Sequence, residues 1–456
     1  MAEKRKFFGT DGIRGHVNQY PMTTLVAHAL GAATTVWRKE KAPASAPLFL
    51  IGRDSRRSGD MLEAAFVAGA CSMGANVQLV GILPTPAVSY LTKTTDASVG
   101  VMISASHNPY HDNGIKLFGA DGFKFSDAEE LEIEAYLQRA LDNDLPLIDG
   151  HHVGEVIRSD EGHKEYLAHL LEQWPKELSL ESFHIVLDCA NGAAFEVGVE
   201  LFTQLGAKVT TMGVEPDGLN INEGCGALYP EQLCKRVCEL GADVGIALDG
   251  DADRLIVSDE KGQVLDGDFL MAIYAPFMLK HQVLPHATVV ATVMSNLGLE
   301  RALKAQGITL ERTKVGDRYV LEKMRALGAT LGGEQSGHLI FLEHACTGDG
   351  LAAAIQLLKV ATSENQPLST LASNMTRLPQ VLRNVRVREK KDWTTIPAIQ
   401  SAIDEAQALL GDQGRILVRY SGTENKARVM LEGTDTNQIE QLAEQIAQCF
   451  VDELGE

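Results

Sequence analysis

Short apolar runs alternate with stretches of helical periodicity along most of the chain. Residues 47–52 read as a strand ended by the turn Gly52-Arg-Asp-Ser-Arg-Arg-Ser-Gly59, and a helical pattern follows from Met61 to Met73. Residues 77–81 predict the next strand, closed by Pro84-Thr-Pro86. Residues 99–103 predict a buried strand, stopped by Ser104-Ala-Ser-His-Asn-Pro109, and Ser126 opens an acidic helical stretch to about Leu141. The polar segment 149–164 reads as a boundary. The scheme then restarts at 183–188, with the turn Cys189-Ala-Asn-Gly192 and a later strand over 243–248, and again at 287–294. From about Arg377 the order changes: strands over 384–388 and 414–420 lie beside helical patterns over 395–410 and 436–454.

Strand–loop–helix alternation of this kind predicts the α/β class. The expected architecture is three similar α/β/α sandwich domains with mixed, largely parallel sheets, plus a smaller C-terminal α+β domain, around a central cleft. The expected boundaries are 1–157, 158–260, 261–375 and 376–456. A chain of 456 residues is too long for one core, which agrees with this division. Lys and Arg number 41 against 61 Asp and Glu, a net charge of −20, which argues against a nucleic-acid or anionic-membrane partner. It leaves room for an anionic small substrate held by a local basic cluster. The seven cysteines are scattered, without a second Cys or His pair to complete a zinc site, and read as reduced intracellular thiols. The longest apolar run, 269–279, is about half a membrane span. A cytoplasmic protein is expected.

Several polar loops follow strand-like segments. Ser104 and Ser106 sit just past a strand end, with His107 beside them and Lys116 a few residues on, the arrangement covalent catalysis needs. Asp249-Gly-Asp-Ala-Asp-Arg254 delivers three carboxylates whose mutual repulsion a hard divalent cation would remove, and carboxylate oxygens suit Mg²⁺. A calcium EF-hand is excluded: Arg254 stands where that loop needs Gly, and the flanks read as strands. Gly332-Gly-Glu-Gln-Ser-Gly-His338 offers Glu334 and Ser336 to sugar hydroxyls and His338 as an acid or base. Arg419-Tyr-Ser-Gly-Thr-Glu-Asn425 offers a guanidinium, two hydroxyls and a Gly amide, a combination suited to phosphate, without the Lys of a nucleotide-binding loop. Arg14, between two glycines, and Arg53, Arg56 and Arg57 are further basic groups. Each loop by itself is also consistent with an ordinary turn; together they suggest one site per domain facing a shared cleft.

Phe8-Gly-Thr-Asp-Gly-Ile-Arg-Gly15, Ile103-Ser-Ala-Ser-His-Asn-Pro109, Asp249-Gly-Asp-Ala-Asp-Arg254, Gly333-Glu-Gln-Ser-Gly-His338 and Arg419-Tyr-Ser-Gly-Thr-Glu424 together resemble the α-D-phosphohexomutase superfamily, in its order and over nearly the whole chain. Pro216-Asp-Gly-Leu-Asn-Ile-Asn222 and Lys314-Val-Gly-Asp-Arg-Tyr319 are similar to its bacterial phosphoglucosamine branch. The resemblance implies that Ser106 carries a phosphoryl group and that Asp249, Asp251 and Asp253, with a phosphoserine oxygen, hold one Mg²⁺ per subunit. It implies Arg14, His107 and Asn108 around the phosphoryl group, Arg254 near the metal loop, and Lys116 and His338 as acid/base candidates. Glu334 and Ser336 would recognise sugar hydroxyls, while Arg419, Ser421, Gly422 and Thr423 would hold the non-reacting phosphate. Asn425-Lys426 departs from the family's usual proline and apolar residue, which bears on loop stiffness.

The implied reaction interconverts glucosamine 6-phosphate and glucosamine 1-phosphate through a bound 1,6-bisphosphate, feeding UDP-N-acetylglucosamine and cell-wall synthesis. A homodimer is implied by the family alone, and a hinge near 373–378 would let the fourth domain open. A glucose or mannose mutase is the nearest rival, and a non-catalytic sugar-phosphate sensor is another. A serine hydrolase is disfavoured because no Gly-x-Ser-x-Gly elbow exists.

Overall fold

In a computed structural model of the chain, residues 5–9, 11–42, 46–146, 148–421 and 424–455 are described. They form two compact units, one of Met1–Thr292 with Glu311–Ser373, the other of Val293–Leu310 with Asn374–Glu456. The chain passes into the second unit within the segment expected to hinge.

The first sheet runs β1-β5-β4-β2-β3-β6, from β1 (Ile13–His16), β2 (Leu48–Arg53), β3 (Asn76–Ile82), β4 (Val99–Ile103), β5 (Asp112–Gly119) and β6 (Val156–Arg158). β2, β3, β4 and β6 are parallel, whereas β5 returns antiparallel to β4 and β1 to β5. Val99, Val101 and Ile103 alternate onto one face and join a core with Leu30, Phe66 and Ile133 from α1 (Thr24–Lys41), α2 (Ser58–Ser72) and α4 (Asp127–Leu141). α3 (Thr85–Thr94) lies against β2 and β4. Ser126 caps α4 through a capping box with Glu129, as its position in the sequence predicts. The segment expected to be a plain boundary contains β6 instead. Its three residues are exposed and short, so no apolar alternation marked them.

The second sheet, β11-β10-β9-β7-β8, repeats the plan with β7 (His184–Asp188), β8 (Lys208–Met212), β9 (Val244–Leu248), β10 (Leu255–Ser258) and β11 (Val264–Leu265). β7, β8 and β9 are parallel and β10 returns antiparallel to β9. α5 (Glu161–Glu172) and α6 (Val197–Gln204) pack together, and α7 (Glu231–Leu240) covers β7 and β9 through Leu233 and Val237. The third sheet, β13-β12-β14-β15, comprises β12 (Thr288–Thr292), β13 (Thr309–Thr313), β14 (Leu331–Gly333) and β15 (Leu339–Phe341). β12 and β14 are parallel and β15 turns back on β14. The longest apolar run lies in α8 (Gly267–Lys280); among the described residues no helix is long and apolar enough to cross a membrane. α9 (Leu297–Ala305) belongs to the second unit, and α10 (Asp317–Leu327) packs on β14. α11 (Gly350–Glu364) is buried nearly all round and touches α5, α8, β9, β10 and β15.

In the second unit, β16 (Gln380–Arg386), β17 (Gly414–Tyr420) and β18 (Lys426–Gly433) form an antiparallel sheet in the order β16-β18-β17. After the short α12 (Leu368–Leu371), which lies in the first unit, α13 (Pro397–Leu410) and α14 (Thr436–Leu454) supply Ile399, Ile439, Ile446 and Phe450 to this unit's core. β16 starts four residues before the expected strand. Glu432, fully buried on β18, accepts from Arg415 Nε at 2.6 Å and from the amide of Leu297 at 2.9 Å, tying the Val293–Leu310 segment to the sheet.

Candidate active site

In each sheet of the first unit one antiparallel hairpin carries one of the motifs in its loop. The β4–β5 loop holds Ser106, the β9–β10 loop holds the three aspartates, and the β14–β15 loop holds Glu334, Ser336 and the approach to His338. These loops meet within the unit.

Ser106 follows a strand buried along its whole length, is itself 1% exposed, and has φ +52°. A side-chain-bearing residue pays about 1–2 kcal/mol for that left-handed conformation. The amide of Ser106 donates to Ser104 Oγ at 2.9 Å, and Ser106 Oγ donates to Asp249 Oδ2 at 2.5 Å. Ser106 has one hydroxyl proton, so His107 Nδ1, 3.3 Å away, is the donor in their contact. Burial, with Arg254 and Arg14 nearby, lowers the His107 pKa to about 4 and keeps the ring neutral near pH 7. Arg14 on β1 reaches Ala105 O at 3.4 Å and pairs with Asp11. Asn108 is turned towards Asp112, at 3.0 Å.

Asp249, Asp251 and Asp253 are buried, with one oxygen from each inside a 4.8 Å cluster, the sole such group of metal-ligand types among the described residues. Burial and the two neighbouring carboxylates push Asp249 up to about 8. Asp251 Oδ1 and Asp253 Oδ1 are buried without any hydrogen-bond partner. Buried carboxylate oxygens without a hydrogen-bond partner, in a cluster of three such side chains, fit a hard cation. Strands flank the loop on both sides, so no EF-hand is present.

Lys116, 1% exposed on β5, lies 2.7 Å from Asp251, 3.2 Å from Asp11 and 3.4 Å from Asp253. Burial opposes its charge, but these three carboxylates outweigh it and raise the pKa above the usual lysine value. Lys116 is therefore a fixed cation rather than a free base. The backbone amide of Arg254 donates to Asp249 Oδ1 at 3.2 Å, and its guanidinium lies 3.9 Å from Asp253.

His338 Nε2 accepts the amide of Gly348 at 3.0 Å, and Nδ1 lies 3.7 Å from Asp253. Burial works against its protonation, yet Asp253 and Asp317 raise its pKa overall. Glu334 Oε1 accepts the amide of Gly316 at 3.2 Å, its pKa raised by burial. Ser336 is exposed at the loop tip. Gly337 has φ +91°, and a Cβ there would stand 2.2 Å from Leu255 O, so only glycine lets this loop close on the aspartate hairpin.

In the second unit, Arg419 Nη2 lies 3.9 Å from Met294 Sδ, and Ser421 Oγ accepts the amide of Glu424 at 3.3 Å. Burial and neighbouring Arg428 lower the Arg419 pKa. Gly422 and Thr423, expected in this phosphate loop, lie outside the described residues.

Sequence reasoning left several participants unassigned. Thr85 Oγ1 donates to Asp251 Oδ2 at 2.5 Å; its position between two prolines was the one available signal. Lys124 bridges Asp317 at 2.5 Å and Asp11, extending the charge network from just before β1 to the amino end of α10. No periodicity flags such residues, because they meet only through the tertiary fold.

Four family models of the phosphoglucomutase/phosphomannomutase class match in order: α/β/α domain I over residues 5–144, domain II over 164–262, domain III over 266–378 and the C-terminal domain over 382–448. A phosphoglucosamine mutase of Magnetococcus marinus is 52% identical over 451 residues, covering 99% of this chain and 92% of its own. Among solved structures, a phosphoglucomutase/phosphomannomutase family protein of Burkholderia thailandensis has a TM-score of 0.80 at 22% identity, covering 99% of each chain. The N-acetylphosphoglucosamine mutase of Aspergillus fumigatus, solved with GlcNAc-6P and magnesium, has a TM-score of 0.69 at 19% identity, covering 98% of this chain and 96% of that one. With every domain type of one enzyme class matched in sequence order and a full-length relative sharing half its residues, the chain belongs to the phosphoglucomutase/phosphomannomutase family.

Proposed function

We propose that this protein is a phosphoglucosamine mutase, interconverting glucosamine 6-phosphate and glucosamine 1-phosphate for UDP-N-acetylglucosamine and cell-wall synthesis. The observation that carries the reading is the Ser106 hydroxyl 2.5 Å from Asp249, inside a buried cluster of three carboxylates with two unpartnered oxygens. A serine so placed is suited to accept and return a phosphoryl group. The name of the Magnetococcus relative selects glucosamine among the sugars.

In the resting form Ser106 is phosphorylated. The sugar's O1 attacks phosphorus, the P–Oγ bond breaks, O1 loses its proton and Ser106 Oγ regains one, leaving bound glucosamine 1,6-bisphosphate. After the sugar turns over, Ser106 Oγ loses its proton and attacks the phosphorus on O6, the P–O6 bond breaks, O6 gains a proton, and glucosamine 1-phosphate leaves with Ser106 phosphorylated again. Arg14, Lys116 and Arg254 neutralise charge around the moving phosphoryl group, which mainly needs positioning and electrostatic support. His107, neutral near pH 7, donates to Ser106 Oγ, and the amide of Asn108 belongs to the same turn. His338 supports Asp253 and remains an acid/base candidate, while Lys116, held protonated by its carboxylates, remains one only as an acid. Glu334 and Ser336 take sugar hydroxyls, while Arg419, Ser421, Gly422 and Thr423 take the other phosphate. One Mg²⁺, held by Asp249, Asp251, Asp253 and a phosphoserine oxygen, would supply Lewis-acid charge neutralisation. The protein is read as a cytoplasmic homodimer without nucleic-acid or membrane partners.

The test is the intact mass of protein first freed of phosphate at Ser106, before and after incubation with glucosamine 1,6-bisphosphate. A single-phosphate increment mapped to Ser106 is expected, and its absence overturns the mechanism. Turnover compared across glucosamine, glucose and mannose 6-phosphates decides the sugar.

A further inference from the structure

Arg56 and Asp54 form an ion pair with no solvent exposure in the turn after β2, and the amide of Arg56 also donates to Asp54 Oδ1 at 2.9 Å. A buried pair of this kind contributes little stability beyond a well-packed apolar pair. What it provides here is direction. Arg56 Nη2 donates to Ser106 O at 3.1 Å and to Asn108 O, while Nη1 lies 3.4 Å from Ser104 Oγ. Asn222 Nδ2 takes the same two carbonyls, at 2.9 Å and 3.1 Å. Four hydrogen bonds thus fix the peptide groups that follow Ser106 and Asn108. Asn222 is held in turn: its amide donates to Ala190 O at 2.9 Å, and its own φ is +59°. At Gly250 a Cβ would lie 2.6 Å from Ser106 O and 2.8 Å from Asn222 Nδ2, so the aspartate loop closes directly on this clamp.

We infer that Arg56 and Asn222 are positioning residues for phosphoryl transfer, holding the Ser106 turn in its left-handed form so that Oγ faces Asp249, Asp251 and Asp253. Without such a grip the serine relaxes towards ordinary φ and its oxygen swings from the carboxylates. Neither residue is assigned contact with the reacting atoms. The inference rests on the mutase reading, since phosphoryl transfer is what the positioning serves.

Asn222→Asp is nearly isosteric and tolerates positive φ but loses the amide donors. Arg56→Lys keeps a cation beside Asp54, yet one ammonium does not reproduce the planar fork. The measurements are the rate of phosphate uptake at Ser106 from glucosamine 1,6-bisphosphate, kcat and KM for glucosamine 6-phosphate, and melting temperature. Both variants are expected to lose about 10–100-fold in uptake rate and kcat, the size of effect a displacement near 1 Å produces, with KM and melting temperature little changed. Uptake at the wild-type rate in either folded variant overturns the assignment, as does a rise in KM without a fall in kcat. If one variant fails to fold the other decides, because the two residues come from different elements. A wild-type protein that takes up no phosphate overturns the mutase reading itself, an outcome distinct from wild-type uptake with unimpaired variants.

Discussion

Lys116 Nζ lies 2.7 Å from Asp251 Oδ2, and neither side chain reaches solvent. Lys116→Met therefore strands buried carboxylates at Asp251 and Asp253, while Asp11 keeps Arg14 and Lys124. It is expected to cost about 3–5 kcal/mol in metal-free buffer, the usual penalty for removing one partner of a buried pair. Denaturant unfolding measures this, and added Mg²⁺ should restore part of the loss. An unchanged midpoint would show that the carboxylates do not depend on the lysine.

Ser106→Ala and Ser106→Gly remove the same hydroxyl but differ at φ +52°. Alanine keeps the steric conflict and glycine does not, so the glycine variant is expected to be the more stable by about 1 kcal/mol. Both should take up no phosphate. Equal unfolding midpoints would place the strain elsewhere in the loop.

The unpartnered oxygens of Asp251 and Asp253 predict stabilisation by divalent metal. Mg²⁺ at one hundred times its dissociation constant should add about 2.7 kcal/mol to the unfolding free energy, and chelation should abolish turnover. Asp251→Asn should weaken the metal-dependent gain. A melting temperature indifferent to Mg²⁺ in the wild-type protein contradicts the metal reading.

Burial pushes the Asp349 carboxyl to about 6, although it accepts hydrogen bonds from the Tyr166 hydroxyl at 2.8 Å and the Ala352 amide at 2.9 Å. The folded chain holds this proton more tightly than the unfolded chain, where 3.8 applies. The contribution to stability is full below that unfolded value and is lost as pH rises through about 6. Asp349→Asn keeps an acceptor for the Ala352 amide, turns an NH2 donor towards the Tyr166 oxygen, which can accept, and removes the titration. Its stability relative to wild type should improve steadily across this window, measured by denaturant unfolding at successive pH values. A constant difference would show that Asp349 ionises normally.

Much of the fold is written in local pattern. The buried strand at 99–103 and the one at 414–420 fall where their apolar runs place them, and Ser126 marks the start of α4 to the residue. The aspartate loop is legible because three like charges in five residues demand a reason. Lys116, by contrast, drew attention only as a neighbour of the serine turn, and its three carboxylate partners come from sequence positions far from it. Arg56 looked like one of three neighbouring basic groups, whereas burial and two carbonyls set it apart. Thr85 and Asn222 gave still less sign, since a hydroxyl between prolines and an amide in a polar turn are ordinary until the opposing loop is known.

The hairpin between β4 and β5 carries one more consequence. Met102 stands opposite Lys116 and Ile103 opposite Ile115, so the ladder fixes which way each side chain of β5 points. Successive residues on a strand face opposite sides, and a slip of one position exchanges the two faces. Deleting or inserting a single residue between Asn108 and Asp112 would either bulge the loop or turn the ammonium out of the carboxylate cluster. The length of that loop is thus constrained in parity as well as in size, and variation by two residues should be better tolerated than variation by one.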